Sequence, residues 1–257
     1  MLEHKRIIVT GSARGMGLAT LTAFVQAGAR VVGMDINDDA GRQAAADANA
    51  LGPGEACYLH VDIADQDSVV TAFQAAVDWL GGLDVLAHPA AIQAGSMASD
   101  VSVEHWDQMF SVNVRGTMIT NQTAYHHMKA AGGGSIINFG SISGQRAEPS
   151  AVAYSASKGA VHSWTRSAAG AWGMEGIRVN AILPAMATPM YHESKSGMTE
   201  AQKTESYWMN HRSIALGREY GDPLTDLGPV MVFFASDASK FITGQLIPVD
   251  GGQTNTR

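Results

Sequence analysis

The segment Tyr154-Ser155-Ala156-Ser157-Lys158 sets a phenol and an amine four residues apart, a spacing that puts both on one face of a helix. An ammonium beside a phenol favours the phenolate and lowers the tyrosine pKa from its usual ~10. A phenol poised nearer neutrality can take a proton from an alcohol or return one to a carbonyl. Alone, such a pair is ordinary helix-surface chemistry. Here it follows Ser141, which ends the apolar run Ile136-Ile137-Asn138-Phe139-Gly140, and the chain opens with Thr10-Gly11-Ser12-Ala13-Arg14-Gly15-Met16-Gly17.

These groups need a scaffold, and the pattern predicts one. Short apolar runs at Arg6–Thr10, Arg30–Asp35, Ala56–Val61, Val85–His88, Ser135–Gly140, Arg178–Leu183 and Gln245–Val249 read as strands buried on both faces of a parallel sheet. Helical stretches alternate with them near Gly15–Ala27, Asp38–Ala50, Asp65–Trp79, Val103–Ala130, Ala151–Met174 and Pro223–Ser236. The alternation predicts an α/β, Rossmann-type doubly wound parallel sheet of about seven strands flanked by helices. Residues 1–257 form one domain without internal repeats, and the long stretch from Pro184 to Asp222 reads as irregular, which in a compact domain points to a functional or mobile segment.

The glycine-rich turn follows a strand and opens a helix, the context in which it binds a dinucleotide. Gly11 serves the tight turn, Gly15 close backbone approach and Gly17 helix–strand packing, while the helix N-terminus offers N–H groups to a pyrophosphate. By itself the same turn would also serve as a tight βα connection with no ligand. Asp35 ends the second strand, about 20 residues on, where a carboxylate hydrogen-bonds a ribose hydroxyl and repels the 2′-phosphate of NADP. Arg14 pulls the other way, but Ile36, Asn37, Asp38 and Asp39 add no second cation. The expectation is NAD over NADP.

Composition narrows the function class. The chain is 46% hydrophobic and 16% charged, enough apolar material for a core and too little charge for disorder. A net charge of −7 without a basic cluster argues against nucleic acid or an anionic membrane as partner and leaves a small-molecule substrate. Met1-Leu2-Glu3-His4-Lys5-Arg6 lacks the features of a secretory leader, no apolar run reaches the ~18 residues of a membrane span, and the lone Cys57 suits a reducing compartment, so a cytoplasmic location is expected. No Cys/His spacing suits a metal, and the adjacent His126 and His127 diverge on a helix.

In combination these motifs resemble the short-chain dehydrogenase/reductase family, whose pattern is TGxxxGxG, then an Asn, a Ser and YxxxK. The resemblance spans nearly the whole chain. It implies that Tyr154 is the general acid/base, that Lys158 lowers the Tyr154 pKa and holds the nicotinamide ribose, that Ser141 orients the substrate oxygen, and that Asn113 positions a water in a proton relay. It extends the cofactor site to Ser12, Met16 and Ile36, to Asp62 and Ile63 around the adenine, to Ala90 and Ala91 beside the ribose, and to Pro184 and Thr188 near the carboxamide. Asp62 and Thr188 also read as a helix cap and a plain loop threonine. Residues 185–222 become a substrate-binding lid. Gln93, Ser143, Gln145, Met186, Met190 and Tyr191 join Ser141 and Tyr154 as substrate contacts. Trp208 and Met209 add apolar surface, which suits a hydrophobic or cyclic secondary alcohol or its ketone.

Two stretches depart from the family pattern. His88-Pro89-Ala90-Ala91 stands where Asn-Asn-Ala-Gly is usual, and Ala185 replaces the Gly of a Pro-Gly pair. His88 reads as an extra acid/base or as a satisfied strand-end histidine. The alternative functions are an NADPH-dependent ketone or 3-oxoacyl reductase and, in another class, a catalytically silent dinucleotide-binding regulatory protein. A nucleophilic hydrolase is disfavoured because no Gly-x-Ser-x-Gly surrounds Ser141. The resemblance further implies a homotetramer paired through Val103–Ala130 and Ala151–Met174, with a dimer as the other option.

Overall fold

The apolar runs form seven parallel strands because alternate side chains can be buried on opposite faces only when helices cover both. The computed structural model describes residues 1–254, and of Met190, Ser194, Trp208 and Met209 only the backbone. The strands are β1 Arg6–Thr10, β2 Arg30–Asp35, β3 Glu55–His60, β4 Val85–His88, β5 Gly134–Phe139, β6 Ile177–Pro184 and β7 Leu246–Val249, in the order β3-β2-β1-β4-β5-β6-β7. In β1, Ile7 and Val9 enter one core cluster and Ile8 the other; Val85, Ala87 and Leu86 of β4 divide the same way. The order reverses between β1 and β4, so the crevice at their C-terminal ends is the topological switch point.

The helices are α1 Gly15–Gln26, α2 Asp38–Asn49, α3 Gln66–Leu80, α4 Val103–Phe110, α5 Gly116–Ala131, α6 Val152–Trp172, α7 Pro189–Ser196, α8 Glu200–Asn210 and α9 Gly228–Ala235. Their starts follow from capping chemistry: Asn37 accepts from the Ala40 N–H, and Asp65 from those of Asp67 and Ser68.

Two expectations need correction. The helix expected over 103–130 is interrupted by a π-helical turn, Ser111–Arg115, a local widening of the kind that often marks functional sites. The stretch 184–222 is not irregular, since α7 and α8 lie within it. Thr188 caps α7 ahead of Pro189, and Thr199 with Gln202 forms a capping box for α8. Weak apolar periodicity hid these helices, although their caps are plain local signals. The segment is tied down at both ends, because Ala187 N–H donates to Gly221 O at 2.8 Å and Gly221 N–H to Ala185 O at 3.1 Å.

Candidate active site

The glycine-rich turn is shaped by what has no room for a Cβ. One built on Gly17 would lie 1.9 Å from the Gly11 carbonyl oxygen, and one on Gly11 would lie 2.7 Å from Ala90 Cα. Gly11 and Gly15 have φ of +62° and +57°, the left-handed region that favours glycine. Ala90 therefore packs directly on the turn. Arg14 at the N-cap of α1 makes no side-chain cap, and no acidic residue occupies the first turn. The first N–H groups of α1 are thus left to an anion. Met16 is partly buried against the core, and its carbonyl accepts the Thr20 hydroxyl at 2.7 Å. Ser12 is buried, and its Oγ has no partner among the described residues.

The Asp35 carboxylate accepts from Ala13 N–H and from Asn37 N–H, each at 3.0 Å, which fixes it between the turn and the start of α2. Ile36 beside it is exposed. Asp62 accepts from Ala64 N–H at 2.9 Å, and Ile63 is buried against Gly116. On the far side, Thr188 stands 3.8 Å from a Cβ built on Gly15, so the segment that follows Pro184 and β6 reaches over the turn. The bare helix end, the glycine cradle and the carboxylate at the end of β2 fit a nicotinamide dinucleotide.

The catalytic candidates gather beside this crevice. Ser141 follows β5, and its Oγ accepts from Ser143 N–H at 3.1 Å. Lys158, one turn along α6 from Tyr154, is 4% exposed. Its Nζ donates to Phe139 O at 2.8 Å and lies 5.7 Å from the Tyr154 ring centroid. Asn113, inside the π turn, clamps the loop after β4: its Oδ1 accepts from Ile92 N–H and its Nδ2 donates to Ile92 O, both at 2.9 Å. Nδ2 also reaches Ser157 Oγ at 3.1 Å. The side chain is thus engaged in joining that loop to α6, and the Asn113 carbonyl accepts the Thr117 hydroxyl at 2.7 Å.

The electrostatics of the cluster are dominated by burial. Burial pushes the Tyr154 phenol above its ordinary pKa, and the neighbouring Ser141 hydroxyl offsets this only in part. Lys158 turns its ammonium to the Phe139 carbonyl and is itself pushed down to about 8 by burial. His88 is buried, with Nδ1 2.7 Å from Thr10 Oγ1 and Nε2 without a partner among the described residues. Burial and the nearby Lys158 charge press it down to about 3, which fits a neutral, half-satisfied strand-end histidine.

The substrate candidates divide. Gln93 and Gln145 are exposed and Ser143 is half-buried. Met186 is instead buried in the core cluster behind the sheet edge, with Gly221 against its sulfur. The Met190 side chain lies outside the described residues, as do those of Trp208 and Met209. The Tyr191 hydroxyl receives Lys195 Nζ and lies 2.6 Å from His211 Nε2, with the Tyr220 ring 4.9 Å away. Sequence reasoning missed His211 and Tyr220, which only the fold of the segment unites. It also missed His162, which accepts the Ser141 N–H at 3.2 Å. His162 stands one helical turn past Lys158, so the spacing was available as a signal.

Fold and site together define a doubly wound dinucleotide-binding protein with a Ser–Tyr–Lys cluster at its switch-point crevice. Residues 11–254 match the family model described as enoyl-(acyl carrier protein) reductase. The chain is 34% identical to the trans-4-hydroxycyclohexanecarboxylate dehydrogenase of Sinomonas cyclohexanicum, over 98% of its own length and 94% of that protein's. It is also 34% identical to the cyclopentanol dehydrogenase of Comamonas testosteroni, over 98% of each chain. Among solved structures, an NAD+-bound xylitol dehydrogenase superposes with a TM-score of 0.90 at 27% identity, covering 98% of this chain and 99% of that one. The chain belongs to the short-chain dehydrogenase/reductase family, oxidoreductases that bind a nicotinamide dinucleotide.

Proposed function

We propose that this protein interconverts a secondary alcohol and its ketone with NAD(H), and that the substrate is hydrophobic and cyclic. The observation that carries this reading is the gathering of Ser141 at the end of β5 with Tyr154 and buried Lys158 on α6, the Lys158 Nζ 5.7 Å from the Tyr154 ring centroid. When bound, the dinucleotide supplies the acceptor for the carbinol hydride in oxidation and its donor in reduction. Gly11, Gly15, Gly17 and the α1 N-terminus hold its pyrophosphate, Asp35 its adenosine ribose, and Thr188 the nicotinamide end.

Tyr154 Oη, as phenolate, removes the alcohol O–H proton; as phenol, it returns that proton to the carbonyl oxygen. Ser141 Oγ already accepts from Ser143, which leaves its own proton for the substrate oxygen. Lys158 stays largely protonated at neutral pH and supplies positive charge beside the phenol. Asn113 holds the wall of the site through Ile92 and Ser157. The 185–222 segment is the lid, and Tyr191 is its candidate substrate contact.

The cyclic substrate is supported by the names of the two relatives, one acting on cyclopentanol and one on a hydroxycyclohexane carboxylate. Arg14 favours the second reading, an NADPH-dependent ketone reductase. The test follows NADH or NADPH formation by absorbance with cyclic, aromatic and open-chain secondary alcohols. Turnover with NAD and best rates on cyclic alcohols is the expected result; turnover only with NADP would transfer the assignment to the second reading. We also propose a cytoplasmic homotetramer paired along α4, α5 and α6, where Phe110, Val114, Met118, Val161 and Trp164 line an open apolar groove.

A further inference from the structure

The loop that carries Ser141 is wrapped around an imidazole. His162 is 2% exposed, and its Nε2 lies 3.2 Å from the Ser141 amide nitrogen. A backbone amide only donates, so Nε2 is the acceptor, the ring proton sits on Nδ1, and the imidazole is neutral. The approach is close enough to dictate the residues around it. A Cβ on Gly140 would lie 2.5 Å from His162 Nε2, and a Cβ on Gly144 would lie 2.7 Å from Cε1. Glycines therefore flank Ser141 where the ring passes.

Ser141 is then held at three atoms: its N–H by His162, its carbonyl by Gly144 N–H at 3.0 Å, and its Oγ by Ser143 N–H at 3.1 Å. The second and third of these bonds lie within the loop. The first ties Ser141 itself to α6, the helix that carries Tyr154 and Lys158, two residues beyond the Phe139 carbonyl that Lys158 Nζ holds.

We propose that His162 is a positioning residue, whose neutral Nε2 sets the distance between the Ser141 hydroxyl and the Tyr154 phenol. This rests on the reading of Ser141 as the group that orients the substrate oxygen. The surroundings keep the acceptor available: burial, with the charges of Lys158 and Arg166 one turn away on either side, presses His162 down to about 4. The ring therefore stays unprotonated wherever the enzyme would work. Loss of the acceptor would free the Ser141 amide and let the loop shift against α6, and misplacement of a reacting group by about 1 Å costs on the order of 10²-fold in rate.

The test compares His162→Leu, which keeps the bulk without an acceptor, and His162→Gln, whose amide oxygen can stand near the Nε2 position, with Ser141→Ala as reference. NADH binding by fluorescence and thermal melts establish that each variant is folded. His162→Leu is expected to lose at least about tenfold in kcat with NADH affinity unchanged, and His162→Gln to recover most of it. A folded His162→Leu with kcat within about twofold of the parent, beside an inactive Ser141→Ala, would overturn the inference alone. So would a folded His162→Gln as slow as His162→Leu. An active Ser141→Ala would remove the reading of Ser141 itself, and the inference with it.

Discussion

Tyr154 shows how one residue type acquires a direction from its surroundings. In water a tyrosine is a poor base; in a helix beside Lys158 the charge would help it ionise; in this fold, burial outweighs that help and the phenol is the favoured form. In the proposed mechanism only the phenolate serves oxidation, so the raised pKa puts the acid limb of the oxidation rate on the alkaline side, and oxidation should climb with pH across the neutral and mildly alkaline range. Reduction uses the phenol and should hold its rate toward neutral pH. Tyr154→Phe is expected to lower turnover by roughly 10²–10⁴-fold in both directions while NADH binding, read by fluorescence, changes little. A variant that kept most of its rate would place the proton-transfer group elsewhere. The four-residue spacing of Tyr154 and Lys158 was visible from the start, whereas the competition between burial and charge was not, because it depends on what covers the hydroxyl.

At the level of elements, the site is assembled where three of them end or bend. β5 delivers Ser141, α6 delivers Tyr154 and Lys158, and the π turn between α4 and α5 aims the Asn113 amide at the loop after β4. That loop is also paired with the start of α6, since Ser96 N–H donates to Ser150 O at 2.9 Å and Val152 N–H to Ser96 O at 3.1 Å. Asn113→Ala would strip partners from both polar groups of Ile92 and from Ser157. Each buried polar group left without a partner costs about 1–3 kcal/mol, so the variant should melt several degrees lower and lose turnover as Ile92 drifts. Differential scanning calorimetry with steady-state rates checks both. Strand limits were readable to within a residue or so because a strand buried on both faces is a bare apolar run. α7 and α8 were not, since their small apolar content carries no strong period and only Thr188 and the Thr199–Gln202 box announce them.

Across the whole molecule, one sheet reversal brings the candidate cofactor-binding and proton-handling groups to the same edge. β1 and β2 present the glycine turn and Asp35, and β4 and β5 present Ala90 and Ser141, on either side of the switch point. The Asp35 carboxylate is held by Ala13 and Asn37 N–H groups, so its charge stays at a defined place in the crevice. Asp35→Ser should therefore raise the preference for NADP relative to NAD by at least about tenfold in kcat/KM, because it removes a like charge facing the 2′-phosphate. Parallel kinetics with the two cofactors measure this, and an unchanged ratio would shift the discrimination to Arg14 or the α2 terminus.

Apart from the Asn–Ser–Tyr–Lys set, which came through the family resemblance, the sequence by itself determined the order and type of the elements that build the sheet and the glycine turn with its acidic partner. These are written in local spacing and in apolar runs, which depend on neighbours along the chain. Tertiary structure decided the rest. It turned Lys158 to Phe139 O, left His88 neutral with a bare Nε2, spent the Asn113 side chain on Ile92, buried Met186 in the core, and brought His162 under the Ser141 amide. The physical reason is common to all five. A hydrogen-bond partner or a desolvating neighbour is set by distance in space, and residues 21 apart, as Ser141 and His162 are, meet only after strand and helix have packed.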